Sequence, residues 1–308
     1  MSRPRVLILG AAGQVGRELQ STFANFGEIV AVDRGALDVA VPDQIRGLVR
    51  RVAPQVILNA AAYTAVDRAE AEQEAAIAIN GDAPRVLAEE ALRTNAVLVH
   101  YSTDYVFDGS KNGAWIESDE PHPLNCYGAS KLAGEEAIRG VGGRYLIFRT
   151  SWVYGAHGKN FLLTMLRLGR ERERLRVVDD QRGAPTTSHA LADATRRIVD
   201  GVVLSRFGEP EAWAGLYHMS CGGETTWCGF AREIFARAGD LMQGRTPAVD
   251  AIASSEYPTP AKRPRNSVLS NARLKERFGL ALPSWEAELG NVLARLTAEA
   301  ETAAAKAR

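Results

Sequence analysis

The 308-residue sequence contains few cysteines, few histidines and no excess of charge of either sign. Its three cysteines, Cys126, Cys221 and Cys228, are too few and too irregularly spaced for a disulfide framework or a zinc site. The five histidines lack metal-ligand spacing. Basic and acidic residues balance at 37 each, so no global electrostatic argument favours nucleic acid or an anionic membrane as a partner.

Long apolar runs are also missing from the sequence. No stretch approaches the length of a membrane span, and the N-terminus enters a strand without a signal-peptide pattern. The hydrophobic fraction of 46% and the charged fraction of 24% are ordinary for a globular protein. These features predict a soluble, cytoplasmic protein with no nucleic-acid or membrane partner.

Apolar runs of strand length alternate with helical patterns through the first half of the chain. The predicted strands cover residues 5–9, 28–32, 55–59, 96–101 and 144–148. Such alternation indicates βαβ units, and we predict an α/β fold with a Rossmann-type, doubly wound parallel sheet. We assign residues 1–150 to a dinucleotide-binding domain, to which later segments can return. Residues 151–308 mainly form a smaller C-terminal α/β substrate-binding lobe.

A glycine-rich turn follows the first predicted strand and precedes a helix. Its spacing, Gly-x-x-Gly-x-x-Gly, differs from the Gly-x-Gly-x-x-Gly of long-chain dehydrogenases. Glycines allow the backbone to approach a pyrophosphate, and the helix N-terminus supplies N–H groups to bind it. The predicted cofactor contacts here are Gly10, Ala12, Gly13, Gln14, Val15 and Gly16.

The ends of the next strands add further candidate contacts to the cofactor. Asp33 ends the second strand, where an acid commonly binds the adenosine ribose and favours NADH. Arg34 could instead accommodate a 2′-phosphate, so both NADPH and NADH stay open. Small residues after the third strand let a flat ring approach the backbone. The remaining predicted contacts are Asp38, Val39, Ala60, Ala61 and Ala62.

Tyr127 and Lys131 lie one helical turn apart in the sequence. A neighbouring cation favours the phenolate, so this pair forms a reasonable general acid with a group that tunes it. Taken alone, the spacing also occurs on ordinary exposed helices. The dinucleotide turn, together with the hydroxyl residues Ser102 and Thr103 at the end of the fourth strand, favours the catalytic interpretation.

The ordered set of motifs resembles the extended short-chain dehydrogenase/reductases, and within them the dTDP-4-dehydrorhamnose reductase family. The resemblance extends from about Val6 to Leu293. It is carried by residues 10–16, 59–67, 101–109, 123–128, 148–155, 180–186 and 257–264.

This resemblance implies an NAD(P)H-dependent oxidoreductase that reduces the C4 ketone of dTDP-4-dehydro-L-rhamnose in nucleotide-sugar biosynthesis. Tyr127 would donate a proton to the ketone oxygen. Lys131 would lower the pKa of Tyr127 and hold the nicotinamide ribose, so both residues would also contact the cofactor. Thr103, rather than Ser102, would hydrogen-bond the substrate oxygen, and Asp104 would contact the sugar.

Two further residues are candidates for binding the nucleotide-sugar. The resemblance places Trp152 at the substrate, although a core or lid aromatic is the alternative. The proline-rich, basic segment 257–265 suits a pyrophosphate, and Arg263 is the best candidate because a guanidinium binds it in bidentate fashion. A linker with solvated charges is the alternative for that segment.

Some members of the family are described as dimers bridged by magnesium between glutamates. The corresponding positions here are Glu18, His189 and about Arg295. Because a hard cation prefers carboxylate oxygen and arginine cannot bind it, we predict no metal site. We expect a monomer or a weak homodimer without bridging magnesium.

Two other functions stay open. A sugar-nucleotide epimerase or dehydratase of the same superfamily would cycle the hydride internally and consume no net NAD(P)H. A non-catalytic regulatory subunit, resembling that of methionine adenosyltransferase, is the second alternative. The presence of Thr103, Tyr127 and Lys131 argues against it.

Overall fold

The computed structural model describes residues 3–242 and 244–306. Residues 1–2 of the first predicted domain range, and Gln243 and residues 307–308 of the second, lie outside it. The strands are β1 (Arg5–Leu9), β2 (Glu28–Val32), β3 (Val56–Asn59), β4 (Val97–Thr103), β5 (Tyr145–Thr150), β6 (Val153–Tyr154), β7 (Arg174–Val178), β8 (Arg182–Gly183), β9 (Thr186–Thr187), β10 (Gly215–His218), β11 (Thr225–Thr226) and β12 (Ala248–Ile252).

Helices connect these strands and cover both faces of the central sheet. They are α1 (Gln14–Phe23), α2 (Pro42–Val52), α3 (Val66–Ala69), α4 (Gln73–Ile77), α5 (Ala83–Thr94), α6 (Cys126–Val141), α7 (Phe161–Glu171), α8 (Ser188–Val203), α9 (Pro210–Trp213), α10 (Trp227–Arg237), α11 (Ala272–Phe278) and α12 (Trp285–Lys306). A π-helical turn, Ala78–Asp82, joins α4 to α5.

The central sheet has six parallel strands in the order β10-β5-β4-β3-β1-β2. From β1 the chain passes to β2 on one side, and the later strands add on the other side. In open α/β sheets such a reversal of strand order opens a crevice at the carboxyl ends of the strands, where ligands bind. The topology therefore places the ends of β1 and β3 at the floor of a crevice.

The central strands are continuous apolar runs because successive side chains point to opposite faces of the sheet, and both faces are buried. Val6 and Ile8 of β1 pack with Leu19 of α1 in one core cluster. Leu7 and Leu9 point to the opposite face and pack with residues of α2 and α5. Both faces of the sheet are thus covered, as parallel sheets require.

The second half of the chain builds small sheets beside the carboxyl edge of the central sheet. β7 pairs with β12 in parallel, β8 with β11 in antiparallel, and β6 with β9 in parallel. Helices α7 and α10 pack on each other and on β7. β10, by contrast, returns to the central sheet beside β5.

The predicted α/β class and Rossmann-type sheet are confirmed. β4 and β5 run further than predicted, to Thr103 and Thr150, because their polar ends still pair with each other at the carboxyl edge. The division at residue 150 stays a prediction. Among the described residues, no helix combines the length and the apolar character that a bilayer crossing needs.

Candidate active site

A groove, called the first groove here, lies at the carboxyl ends of β1, β2 and β3. It is lined by the predicted cofactor residues Gly10, Ala12, Gly13, Asp33, Asp38, Val39, Ala60, Ala61 and Ala62, and by Arg34, Tyr63, Arg68 and Glu72, among others. The structure therefore brings together side chains from three strand ends that are far apart in sequence. An elongated groove across a strand-order reversal suits a dinucleotide.

The glycine turn allows three backbone segments to meet at the head of this groove. Gly10 has φ +77°, and a Cβ there would lie 2.6 Å from the Ala61 nitrogen. A Cβ on Gly16 would lie 2.1 Å from the Gly10 carbonyl oxygen. Gly13 precedes α1 in extended conformation and has no side chain to cap the helix, so the first-turn N–H groups are available to an anion.

We expect the Gly16→Ala variant to lose roughly tenfold or more in NADPH affinity, because the added methyl group meets fixed backbone rather than a movable side chain. Titration calorimetry with NADPH measures this loss. Gly47→Ala is the matched control, since a Cβ at Gly47 in helix α2 meets nothing within 4 Å. Unchanged affinity in Gly16→Ala would show that the tight turn does not shape the cofactor site.

Two predicted cofactor residues, Gln14 and Val15, are not among the residues that line the first groove. The Gln14 side chain accepts a hydrogen bond from Asn160 Nδ2 at 2.9 Å. Asn160 caps α7 by accepting from the Leu163 nitrogen at 3.0 Å. The Val15 side chain packs against the hydrophobic core. The Gln14 side chain thus ties the glycine turn to the start of α7, and its contact with a cofactor stays a prediction.

The far end of the first groove carries charges of both signs. Asp33 Oδ1 accepts from the Gly35 nitrogen at 2.9 Å, which fixes the carboxylate at the end of β2. Arg34 and Arg68 also line the groove. Arg68 Nε donates a hydrogen bond to Glu72 Oε1 at 3.1 Å. A carboxylate for ribose hydroxyls and guanidinium groups for a 2′-phosphate are therefore both present.

Tyr127 lies in the first turn of α6, with its phenol near the side chain of Thr103, which ends β4. The Asn125 side chain begins the helix by accepting from the Gly128 nitrogen at 2.8 Å. A Cβ on Gly128 would lie 2.1 Å from the Tyr105 carbonyl oxygen, so a glycine is needed for α6 to approach the segment after β4 this closely. This close approach places the phenol beside the threonine hydroxyl.

Burial raises the pKa of Tyr127 to about 12, although the nearby Thr103 hydroxyl acts in the opposite direction. Lys131 does not contact the phenol. Its Nζ donates to the Tyr101 carbonyl oxygen at 2.6 Å and lies 3.2 Å from His100 Nε2. Burial lowers the pKa of Lys131 to about 8. The Tyr127 pKa is thus raised by burial, and the lowering by Lys131 that the resemblance implied is not seen.

The two hydroxyl residues at the end of β4 point in different directions. Ser102 Oγ donates to Glu135 Oε1 at 2.5 Å, beneath the site, whereas Thr103 Oγ1 donates to Asp104 Oδ1 at 3.0 Å and lies near the phenol of Tyr127. Asp104 is 2% exposed, and within the described residues its Oδ2 has no hydrogen-bond partner. Burial raises the Asp104 pKa to about 6, while the nearby hydroxyls of Ser267 and Thr103 act to lower it.

A second groove lies in the C-terminal lobe. Its lining combines apolar and basic side chains, including Phe161, Met165, Leu168, Arg172, Arg174, Arg176, Gln181, Trp227, Glu256, Tyr257 and Arg263. The structure ends α7 at Glu171, and the turn into β7 brings Arg172 and Arg174 to the groove.

Trp152 supports the wall of the second groove through a stacked neighbour. Its ring lies 3.6 Å from that of Trp227, with an angle of 8° between the planes. Trp152 has φ 47°, an unusual conformation for a bulky residue. A Cβ on Gly183 would lie 2.5 Å from the Trp152 ring, so a glycine is needed there to admit the indole.

Arg263 lines the second groove but already has protein partners. Its guanidinium donates to both carboxylate oxygens of Asp67, at 3.2 and 2.9 Å, and to the Ala261 carbonyl at 3.1 Å. It also donates to Thr259 Oγ1. Because Asp67 belongs to α3, this arginine ties the segment around Ala261 to the dinucleotide-binding half.

Glu18, His189 and Arg295 meet at the surface between α1, α8 and α12. Arg295 Nη1 lies 2.8 Å from Glu18 Oε1, and His189 Nδ1 lies 3.4 Å from Glu18 Oε2. The hydrogen bond from His189 and the Arg295 charge lower the Glu18 pKa, against the effect of burial. The carboxylate is therefore balanced by a guanidinium of the same chain.

Asn80 is one functional neighbour that sequence reasoning missed. It accepts from the Tyr63 nitrogen at 2.9 Å and donates to the Tyr63 carbonyl and to Ser130 Oγ, each at 3.0 Å. It thereby joins the first-groove loop to α6. Its position depends on the π-helical turn Ala78–Asp82, a feature often found at functional sites but without a local sequence signal.

A dinucleotide groove at the carboxyl edge of a Rossmann-type sheet, with a helical Tyr-x-x-x-Lys and a strand-end threonine beside it, defines an extended short-chain dehydrogenase/reductase. The sequence profile of the family described as RmlD substrate binding domain matches residues 4–298. The chain belongs to the dTDP-4-dehydrorhamnose reductase family.

Individual relatives support this assignment. The dTDP-4-dehydrorhamnose reductase of Burkholderia thailandensis is 47% identical over 298 residues, which cover 93% of this chain and 97% of the relative. That of Salmonella typhimurium is 44% identical over 94% of this chain and 97% of its own length. A crystal structure of the Bacillus anthracis dTDP-4-dehydrorhamnose reductase in complex with NADP superposes with a TM-score of 0.87. It is 36% identical and covers 96% of this chain and 100% of that chain.

Proposed function

We propose that this chain acts in the cytoplasm and uses NADPH or NADH to reduce the C4 ketone of dTDP-4-dehydro-L-rhamnose to dTDP-L-rhamnose. The observation that carries the proposal is Tyr127, a protonated phenol near Thr103, on a helix that Asn80 joins to the loop of the dinucleotide groove. The chain also has a second groove lined with arginines. A relative that is 47% identical over 93% of this chain and 97% of its own length carries the name of this reductase.

The first groove fits a nicotinamide dinucleotide. Gly10 and Gly16 hold the backbone where a side chain would collide, and the uncapped start of α1 suits the pyrophosphate. Asp33, Arg34 and Asp38 surround the place for the adenosine ribose. When bound, the reduced nicotinamide supplies the hydride that the ketone carbon accepts.

Tyr127 delivers the proton in this proposal. With a pKa of about 12 the phenol stays protonated at neutral pH, as a proton donor must. The Thr103 hydroxyl, which otherwise donates to Asp104 Oδ1 at 3.0 Å, turns its proton to the same substrate oxygen and stabilises the charge that develops on it. Lys131 remains the proposed partner of the nicotinamide ribose. The unpartnered Asp104 Oδ2 is available for a sugar hydroxyl.

The second groove receives the nucleotide half of the substrate. Its apolar wall, with Trp227 stacked on Trp152, suits a nucleobase. Arg172, Arg174 and Arg263 provide positive charge for the diphosphate. In this proposal Trp152 supports the nucleobase indirectly, by stacking on Trp227. Arg263 contacts the diphosphate while it stays bonded to Asp67.

The deciding experiment combines the purified chain with dTDP-4-dehydro-L-rhamnose and either NADPH or NADH. We expect oxidation of one nicotinamide for each dTDP-L-rhamnose formed. An epimerase or dehydratase would convert the sugar without net oxidation, and a regulatory subunit would show neither change. Absence of nicotinamide oxidation with both cofactors would overturn the proposal.

We also propose a monomer or weak homodimer without bridging magnesium. Arg295 already balances the carboxylate of Glu18, so a divalent cation would meet a tethered positive charge. Sedimentation with magnesium and with a chelator tests this point. A dimer that forms only with magnesium would contradict it.

A further inference from the structure

Lys131 is held by a second buried polar residue that the proposed reaction does not use. His100 lies on β4, one residue before Tyr101, and its Nε2 is 3.2 Å from Lys131 Nζ. On the other side of the ring, Nδ1 lies 3.0 Å from the side-chain amide of Asn59. His100 and Lys131 are each 1% exposed, and Asn59 is 2% exposed.

The register of the sheet explains this arrangement. Asn59 and His100 are direct partners in the pairing of β3 with β4. The alanines that follow Asn59 line the first groove. The buried row Asn59–His100–Lys131 therefore runs beneath the floor of the proposed cofactor site.

The number of N–H donors on the Lys131 ammonium indicates what the row Asn59–His100–Lys131 does. An ammonium has three N–H donors and no acceptor. In Lys131 one donor goes to the Tyr101 carbonyl at 2.6 Å, and a second faces His100 Nε2. Only the third remains for a cofactor hydroxyl. Two fixed partners thus set the direction of the one bond that is left.

The histidine is suited to accept this bond because it is neutral. Burial, and then the charge of Lys131, lower the pKa of His100 well below its ordinary value. With Nε2 accepting from Lys131, the ring proton lies on Nδ1 and faces the Asn59 amide. Half a turn of that amide presents its oxygen to the Nδ1–H, and it gives up the 3.3 Å hydrogen bond that Asn59 Oδ1 accepts from the Ala61 nitrogen.

We propose that His100 is a positioning residue for the reaction: its Nε2, with the ring oriented by Asn59, aims the free N–H of Lys131 at the nicotinamide ribose. This inference rests on the proposed function. A histidine that only filled space beneath the sheet would need neither nitrogen, and its two polar contacts would then have no consequence for turnover.

Two isosteric variants separate the roles of the two nitrogens. In His100→Asn the amide reproduces the Nδ1 side of the ring, so the contact with Asn59 stays and that with Lys131 is lost. In His100→Gln the longer amide reaches the Nε2 position and restores an acceptor for Lys131. Both variants are polar and both leave some unfilled volume, so their stabilities are comparable.

We expect His100→Asn to lose roughly 10- to 100-fold in single-turnover rate, the range for a lost hydrogen bond to a charged group, and His100→Gln to stay within about threefold of the wild type. NADPH affinity, measured by calorimetry, should weaken in the same order. Thermal unfolding of both variants establishes that they are folded.

Equal losses in the two variants, or no loss in either, would overturn the positioning role. If both unfold, Asn59→Leu tests the same row from its other end, with reduced rate and NADPH affinity expected. A wild-type rate and affinity in Asn59→Leu would again overturn the role. Failure of the proposed function is recognised separately, because the wild-type chain would then oxidise no NADPH with the ketosugar.

Discussion

The Tyr127→Phe variant should bind NADPH with wild-type affinity and reduce the ketosugar roughly 100- to 10,000-fold more slowly than the wild type. The substitution removes only the hydroxyl group that lies beside Thr103. Without it, the oxygen of the reduced ketone has no positioned proton donor. The ring still packs edge to face on Tyr105, with centroids 5.7 Å apart, so the start of α6 keeps its place.

Turnover with NADPH and the ketosugar measures this effect, and calorimetry with NADPH alone shows that the groove is intact. Tyr154→Phe is the matched control. The Tyr154 ring is 1% exposed, and in the described part of the chain its hydroxyl has no hydrogen-bond partner. Removing that hydroxyl should leave turnover unchanged. A wild-type rate in Tyr127→Phe would reject the phenol as the proton donor.

The parts of the site that depend on local sequence could be predicted from it. A strand, three glycines and a helix form a continuous unit, so their order predicts both the turn and its position at the sheet edge. Tyr127 and Lys131 share a helix, and a spacing of four places both residues on one side of it. The same local reasoning places Ser102 and Thr103 together at the end of a strand, and the family resemblance favoured Thr103 of the two.

The features that depend on distant partners could not be predicted. The bond between Arg263 and Asp67 joins positions 196 residues apart, and the contact of Asn59 with His100 depends on the register of two strands. Sequence spacing suggested that Lys131 would act on the phenol. It gave no sign that a carbonyl and an imidazole bind the ammonium instead, because both come from β4.

Breaking the buried pair Glu135–Arg149 is the second change for which we expect a large effect, in this case on the free energy of unfolding. Arg149 Nη2 lies 2.6 Å from Glu135 Oε2, and its Nε lies 2.9 Å from Oε1. Glu135 also accepts from Ser102, and the guanidinium lies over the Phe107 ring at 4.9 Å. Both charged residues are at most 2% exposed. The pair joins α6 to β5 directly beneath the catalytic side chains.

The Glu135→Ala variant should lose about 3–5 kcal/mol of unfolding free energy, because it leaves the Arg149 guanidinium buried without its counter-ion. That is a large fraction of the total stability of a typical domain. Urea unfolding followed by circular dichroism measures the loss. Glu171→Ala is the control: its partner Arg167 lies 2.9 Å away, but the two side chains are 51% and 61% exposed. We expect it to cost about 1 kcal/mol or less.

A double variant separates the cost of an orphaned charge from the value of the pair itself. Replacing both residues, as Glu135→Leu with Arg149→Met, removes the two charges together and fills the space with apolar atoms. Because two buried ions pay a large desolvation penalty, this variant should recover most of the stability that Glu135→Ala loses. If Glu135→Ala costs no more than Glu171→Ala, the pair does not stabilise the junction. If the double variant is stable but slow in turnover, the pair serves chiefly to hold Ser102 and the start of α6 in register beneath Thr103.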